Sequence, residues 1–328
     1  MTRQDFLRGA LVAATGLAAR ADERRKAADD LYDIYPVPPL ARRADGRGLN
    51  TAENEKLVRY LVAGGSKRIV YGGNALVYHL PLAEYREMID WLSGWTQKVA
   101  IIPAVGPSYG RALDHAAIVR GQRFPSLLML PTSAPRDAAG IETGLRRIAD
   151  AAGIPLSLYV KEEANFGSDK EAGLDAIARL VDDKVCVSIK YAVVRKNPSD
   201  DAYLASLLKR VDCSRVISGI GERPAIVHLR NFKLGGFTTG SGVLAPRLCR
   251  QLLDACSRED WAKAEEIRQG FMPLEDLRDS WGPPRVLHYA VTAAGIADTG
   301  PILPFLSPLN ADESRQLKPV AAALRARG

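Results

Sequence analysis

From residue 32 to residue 257 the chain alternates between short apolar runs and longer stretches whose apolar positions recur every three or four residues. The short runs lack polar alternation, which is how a parallel strand covered on both faces reads; the longer stretches read as amphipathic helices. Strand patterns fall at residues 32–38, 68–71, 99–103, 126–130, 155–160, 185–190, 215–218 and 236–239. Helical patterns separate them: one opening at Thr51, taken as an N-cap, then 82–95, 111–121, 138–152, 171–181, 203–211, 224–234 and 246–257. Eight strand–helix units joined by short loops predict a closed (β/α)8 TIM barrel of class α/β. A doubly wound open sheet is the alternative, but no GxGxxG turn follows the first strand pattern. Helical periodicity continues at 261–278, 284–294 and 313–327, which predicts additional C-terminal helices packed on the barrel. The chain thus divides into an N-terminal extension (1–31), a barrel (32–258) and a C-terminal helical layer (259–328).

The sixth strand pattern, Val-Cys-Val-Ser-Ile-Lys at 185–190, ends in a residue that breaks it. Lysine is among the side chains least often fully buried. An amine taken out of water holds its proton less tightly and is left free to attack a carbonyl and form an imine. The competing reading places Lys190 just past the strand end with its head in solvent. In a barrel of this kind chemistry sits at the C-terminal ends of the strands. Tyr159, ending strand five, is therefore expected beside Lys190, where it can move the protons that imine formation requires. For a tyrosine taken alone, a rim side chain with a satisfied hydroxyl is the ordinary role.

Glycine gathers at the same end. Gly72-Gly73-Asn74 follows strand two, where exposed N–H groups could hold a carboxylate, although a plain tight turn fits equally well. The segments 218–222 and 235–242 bring small residues to the ends of strands seven and eight, and Glu222 reads foremost as a solvated loop charge, with an acid/base group the lesser reading. His79 could reach the mouth, whereas His115, His228 and His288 fall inside helical patterns, where packing is expected.

Composition narrows the function classes. The net charge of +7 comes from scattered basic residues, disproportionately from the N-terminal segment, without interleaved aromatics, so nucleic-acid binding has little support. The four cysteines lack CxxC or zinc-like spacing, and Cys186 is expected to be a small core residue. Residues 2–21 combine a basic start, a short apolar stretch and a small-residue end. They resemble a twin-arginine export signal with Gln4 in place of the second arginine. The preferred reading is an amphipathic helix on a cytoplasmic protein, with export the alternative. No membrane association is expected, because no apolar run reaches the ~18 residues of a spanning helix.

The order of these motifs resembles the dihydrodipicolinate synthase/N-acetylneuraminate lyase family of Schiff-base class I aldolases, from about residue 32 to about residue 309. Leu158-Tyr159 and Ser188-Ile189-Lys190 carry the resemblance most specifically, supported by 219–222 and 235–240. It implies a barrel, a homo-oligomer (dimer or tetramer), and Lys190 forming an imine with pyruvate or another small-molecule 2-oxo acid. It implies proton transfer by Tyr159 and carboxylate binding by the strand-two loop, with neither metal nor organic cofactor required. Gly73, Asn74 and Thr238 would line the carboxylate or carbonyl end, and Thr132 or Ser133 the variable part of the substrate.

The departures bear on the substrate. The family's Gly-Thr-Thr-Gly-Glu after strand two stands here as Gly-Gly-Asn-Ala-Leu at 72–76, without either hydroxyl. Pro131-Thr132-Ser133 replaces the synthase's tyrosine pair, and no arginine follows Tyr159 before Asn165. These losses argue against authentic dihydrodipicolinate synthesis. They leave a lyase or dehydratase on a 2-oxo acid or sugar-acid-derived substrate, or a barrel that has lost turnover and binds a small molecule.

Overall fold

The computed structural model describes residues 31–328; the segment resembling an export signal lies outside the described residues. Among the described residues there are eight strands: β1 (Asp33–Pro36), β2 (Arg68–Tyr71), β3 (Ala100–Val105), β4 (Leu127–Met129), β5 (Leu156–Val160), β6 (Cys186–Tyr191), β7 (Val216–Ser218) and β8 (Gly236–Thr239). Parallel ladders join them in the order β1–β8–β7–β6–β5–β4–β3–β2. β1 and β2 lie side by side at the remaining seam, so the sheet is a nearly closed (β/α)8 TIM barrel, as the alternating pattern predicts.

The helices between strands are α1 (Thr51–Ala63), α2 (Leu82–Ser93), α3 (Tyr109–Val119), α4 (Ala138–Ala152), α5 (Lys170–Asp182), α6 (Ala202–Leu208), α7 (Glu222–Phe232) and α8 (Pro246–Ser257). Side-chain N-caps start many of them: Ser108, Asp137, Asp169 and Asp201 each accept the N–H of the third helical residue. At α1 this role falls to Asn50, whose Oδ1 takes the Glu53 N–H at 3.3 Å, and Thr51 is the first helical residue rather than the cap.

Four helices follow the barrel: α9 (Trp261–Gln269), α10 (Met272–Trp281), α11 (Pro283–Ala293) and α12 (Ala311–Arg325). The single helical pattern over 261–278 is therefore two helices. Gly270 and Phe271 end the first, and Pro273, which has no N–H for a continuing ladder, sits in the first turn of the second. Both α9 and α10 lie against α7, which brings the C-terminal helices up to the β7–β8 side of the barrel.

Inside the barrel, Tyr35, Val70, Ile102, Leu128, Ser157, Ser188, Ile217 and Thr238 point inward, one from each strand, and with Lys190 enclose a central cavity of about 20 Å³. That is room for about one water. Branched apolar residues ordinarily fill this layer. Here Ser157 and Ser188 are small, and a hydroxyl chain runs from Ser126 through Ser157 to Ser188 at 2.8 and 2.7 Å. All three serines are buried, so the chain supplies the partners that buried hydroxyls need. Cys186 is 1% exposed and packs as the small core residue its position suggests.

Candidate active site

Lys190 is two residues above Ser188 on β6, so both side chains face the barrel interior. It is only 8% exposed, which excludes the snorkelling alternative. Tyr159 and Lys190 are partners in the β5–β6 register. The Lys190 Nζ stands 4.1 Å from the centroid of the Tyr159 ring, over its face. Each is the last residue but one of its strand. Among the described residues Lys190 has no carboxylate partner; its polar head rests on the aromatic face instead.

One glycine makes room for this arrangement. A Cβ at Gly219, just after β7, would lie 2.9 Å from Lys190 Cγ and 2.7 Å from the Tyr191 carbonyl oxygen, so the lysine stem occupies the space of any side chain there. The Tyr78 ring lies against the strand-two loop, 3.8 Å from where a Cβ on Gly73 would stand, an ordinary van der Waals contact. Tyr78 belongs to a 3₁₀ turn (Val77–His79) that Leu76 enters with φ 54°, an uncommon conformation for a residue with a Cβ. The backbone N–H groups of Gly73 and Asn74 take part in no hydrogen bond among the described residues, and both residues are partly exposed. The Asn74 side chain is engaged elsewhere, with Nδ2 donating to the Val37 carbonyl at 2.7 Å. It fastens the strand-two loop to the end of β1.

Thr238 lines the central cavity with Lys190. Thr132 and Ser133 line a separate depression of about 330 Å³ at the mouth, with Tyr78, Arg136, Lys161 and Asn165 among its walls. Sequence reading missed Tyr78 and Arg136. Burial, and secondarily the neighbouring Tyr159, push the Tyr78 hydroxyl up, so this phenol stays protonated beside the Tyr159–Lys190 pair. Arg136 is held by two carbonyls: Nε donates to Ala164 O at 2.8 Å and Nη1 to Ala134 O at 2.9 Å. No arginine stands between Tyr159 and Asn165, yet Arg136 reaches the same rim from the β4 loop.

Beyond Lys190 the rim is fixed by charge. Tyr191 Oη donates to Asp201 Oδ2 at 2.7 Å, and Arg195 Nη2 donates to Asp201 Oδ1 at 2.9 Å and also to Glu163. Burial works to raise the Asp201 carboxyl, but the hydrogen bonds from Arg195, Leu204 N–H and Tyr191 hold it below the usual carboxylate range. The network ties the β5 and β6 loops together next to Tyr159 and Lys190.

Glu222 corrects its sequence reading. It is fully buried as the first residue of α7, not a solvated loop charge. Its Oε1 accepts from Thr239 Oγ1 and from Gly242 N at 3.0 Å, while Oε2 has no partner among the described residues. Burial, and then the nearby Glu275, push its carboxyl up to about 8. A folded-state value above the unfolded one means that the contribution to stability is fully present below about 4.5 and is lost as pH rises through about 8. Glu222→Gln, uncharged at any pH, is expected to melt higher than the parent at pH 8.5 and to lose most of that advantage at pH 5. Thermal melts of both proteins across this range check it; a gain independent of pH would contradict the assignment.

The histidines stand apart from this centre. His79 is exposed, with its ring 5.2 Å from that of Phe305. His115, His228 and His288 are buried, bonded respectively to Gly106 N, Ser218 Oγ and Gly300 O. Among the described residues no helix is long and apolar enough to cross a membrane.

No family model matches the chain, and no curated protein matches it. Solved structures do. The dihydrodipicolinate synthase from Bacillus clausii aligns with a TM-score of 0.78 at 20% identity, covering 90% of this chain and 98% of that one. A putative dihydrodipicolinate synthetase from Pseudomonas aeruginosa gives 0.76 at 21%, covering 90% and 99%. YagE, a prophage protein of the dihydrodipicolinic acid synthase family from E. coli K12 solved in complex with pyruvate, gives 0.75 at 19%, covering 90% and 98%. These identities establish likeness of fold: over nine-tenths of its length the chain is a (β/α)8 barrel with C-terminal helices built as the dihydrodipicolinate synthases are.

Proposed function

We propose that the chain is a divergent member of the dihydrodipicolinate synthase/N-acetylneuraminate lyase group and a Schiff-base-forming lyase, an aldolase or dehydratase acting on a 2-oxo acid. The observation that carries this reading is the buried Lys190 amine over the Tyr159 ring at the C-terminal mouth of the barrel, with no carboxylate to hold it. Lys190 Nζ would attack the C2 carbonyl, and loss of water would give an imine. The imine then draws the electron pair of the breaking C–C bond, or of a C–H bond ahead of water loss. Tyr159 would carry protons to and from the C2 oxygen and nitrogen. The free N–H groups of Gly73 and Asn74 would hold the C1 carboxylate, and Thr238 would border the carbonyl end. The C-terminal helices act here as a layer on the barrel rather than a separate catalytic unit.

The mouth depression would take the far end of the substrate. Thr132 and Ser133 offer hydroxyls there, while Arg136 and Lys161 outweigh the single carboxylate in the wall, Glu162. Arg136→Ala is expected to raise KM about tenfold for a 2-oxo acid with a second carboxylate, while leaving pyruvate adduct formation unchanged. Steady-state kinetics on both substrate types checks this, and equal effects on the two would remove Arg136 from the site.

Borohydride reduction followed by intact-mass analysis tests the central proposal, using a panel of 2-oxo acids with pyruvate first. A mass increase equal to the acid less one oxygen marks the reduced imine. No adduct with any acid would sink the Schiff-base reading and leave a barrel that binds without covalent chemistry.

A further inference from the structure

The end of the barrel away from Lys190 carries a second feature. Ser66 and Lys67 precede β2, Lys98 precedes β3, and Arg123 precedes β4. Together with Thr96 and the apolar surface of Val99, Phe124 and Pro125 they line a depression of about 600 Å³. That volume falls within the range of small-molecule sites. Three cations face it and no carboxylate lines it. Lys67 and Arg123 have no ion-pair or hydrogen-bond partner for their side chains among the described residues, and Lys98 rests over the Trp95 ring at 5.2 Å. The Ser66 hydroxyl is a separate sign: Ser66 is 4% exposed, and its Oγ has no hydrogen-bond partner among the described residues. A buried hydroxyl without a partner is uncommon and calls for a ligand or water to complete it.

We propose that this depression is a binding site for a small phosphate-bearing molecule. A phosphate dianion presents oxygens in several directions, so it can meet cations arriving from three loops and accept from the Ser66 hydroxyl at once. A single planar carboxylate would leave most of this charge uncompensated. The apolar patch formed by Val99, Phe124 and Pro125 accommodates an uncharged part of the same molecule. Because β2–β4 run parallel to β6, the site lies at the opposite end of the barrel from Lys190 and is independent of imine chemistry.

Calorimetric titration of the full chain with inorganic phosphate and with pyrophosphate, in ~150 mM chloride, tests the proposal. Saturable binding is expected in the parent and in Lys190→Ala alike. Arg123→Glu is expected to weaken it at least tenfold, and Ser66→Ala by a smaller factor of about threefold. Lys67 and Arg123 are exposed, so Lys67→Ala/Arg123→Ala serves as a second variant whose melting curve checks that folding is intact. Absence of saturable binding in the parent overturns the proposal, and so does binding that Arg123→Glu and the double variant leave unchanged. Binding that vanishes only in Lys190→Ala would place the anion at the catalytic mouth instead and also overturn it.

Discussion

Lys190→Ala is expected to abolish the borohydride-trapped adduct and to lower turnover by about a thousandfold or more, the scale seen when a covalent nucleophile is removed. The argument is geometric. Imine chemistry needs an amine at the reacting carbon, and Lys190 places one at the mouth, 8% exposed and over the Tyr159 ring. No neighbouring side chain that faces the central cavity is an amine. Lys190→Arg separates charge from nucleophilicity, because a guanidinium stays protonated in proteins and forms no such imine. Both variants should therefore fail alike, with near-parental circular dichroism showing that the barrel is intact. An adduct that survives in Lys190→Ala would move the chemistry to another lysine and end this account of the site.

Tyr159→Phe should lower turnover by roughly a hundredfold to ten-thousandfold, the usual worth of a positioned proton-transfer group. This substitution removes the hydroxyl while keeping the ring face on which the Lys190 Nζ sits. The amine therefore keeps its contact, and the pyruvate adduct should still form, only more slowly. Tyr159→Ala removes ring and hydroxyl together and should lose both adduct rate and turnover. Single-turnover kinetics of adduct formation, set beside steady-state turnover, distinguishes the two effects. Turnover in Tyr159→Phe within threefold of the parent would show that another group, with Tyr78 the nearest candidate, moves the protons.

The alternation of buried-strand and amphipathic-helix patterns was legible because each element records its surroundings in its own residues. An apolar run without alternation can only be covered on both faces, and eight such runs with helices between them leave few topologies. The position of Lys190 at the C-terminal end of such a run, with Tyr159 at the end of the run before it, was legible for the same reason. Parallel strands with neighbouring ladders bring equivalent positions side by side, and the register pairs these two residues. Where local signals compete, the reading slipped. Asn50 and Thr51 both suit an N-cap, and the Gly270–Pro273 break lies inside an otherwise continuous helical period.

What only the tertiary structure decided depends on residues far apart in the chain. Glu222 looks like any loop carboxylate until α10 brings Glu275 beside it, and burial then changes its charge state. Tyr78 reaches the site because the strand-two loop turns through Val77–His79 and sets its ring in the wall of the mouth depression beside Thr132 and Arg136. Arg136 reaches it because the β4 and β5 loops meet, letting Ala164 O hold the guanidinium. Lys67, Lys98 and Arg123 read as scattered surface charge, since each is separated from the next by a whole strand–helix unit or nearly so. Closing the barrel places the starts of β2, β3 and β4 side by side and turns three unrelated positions into one wall. Periodicity specifies which face of an element is covered. Only the packed barrel specifies what covers it, and the chemistry of a site resides in that second choice.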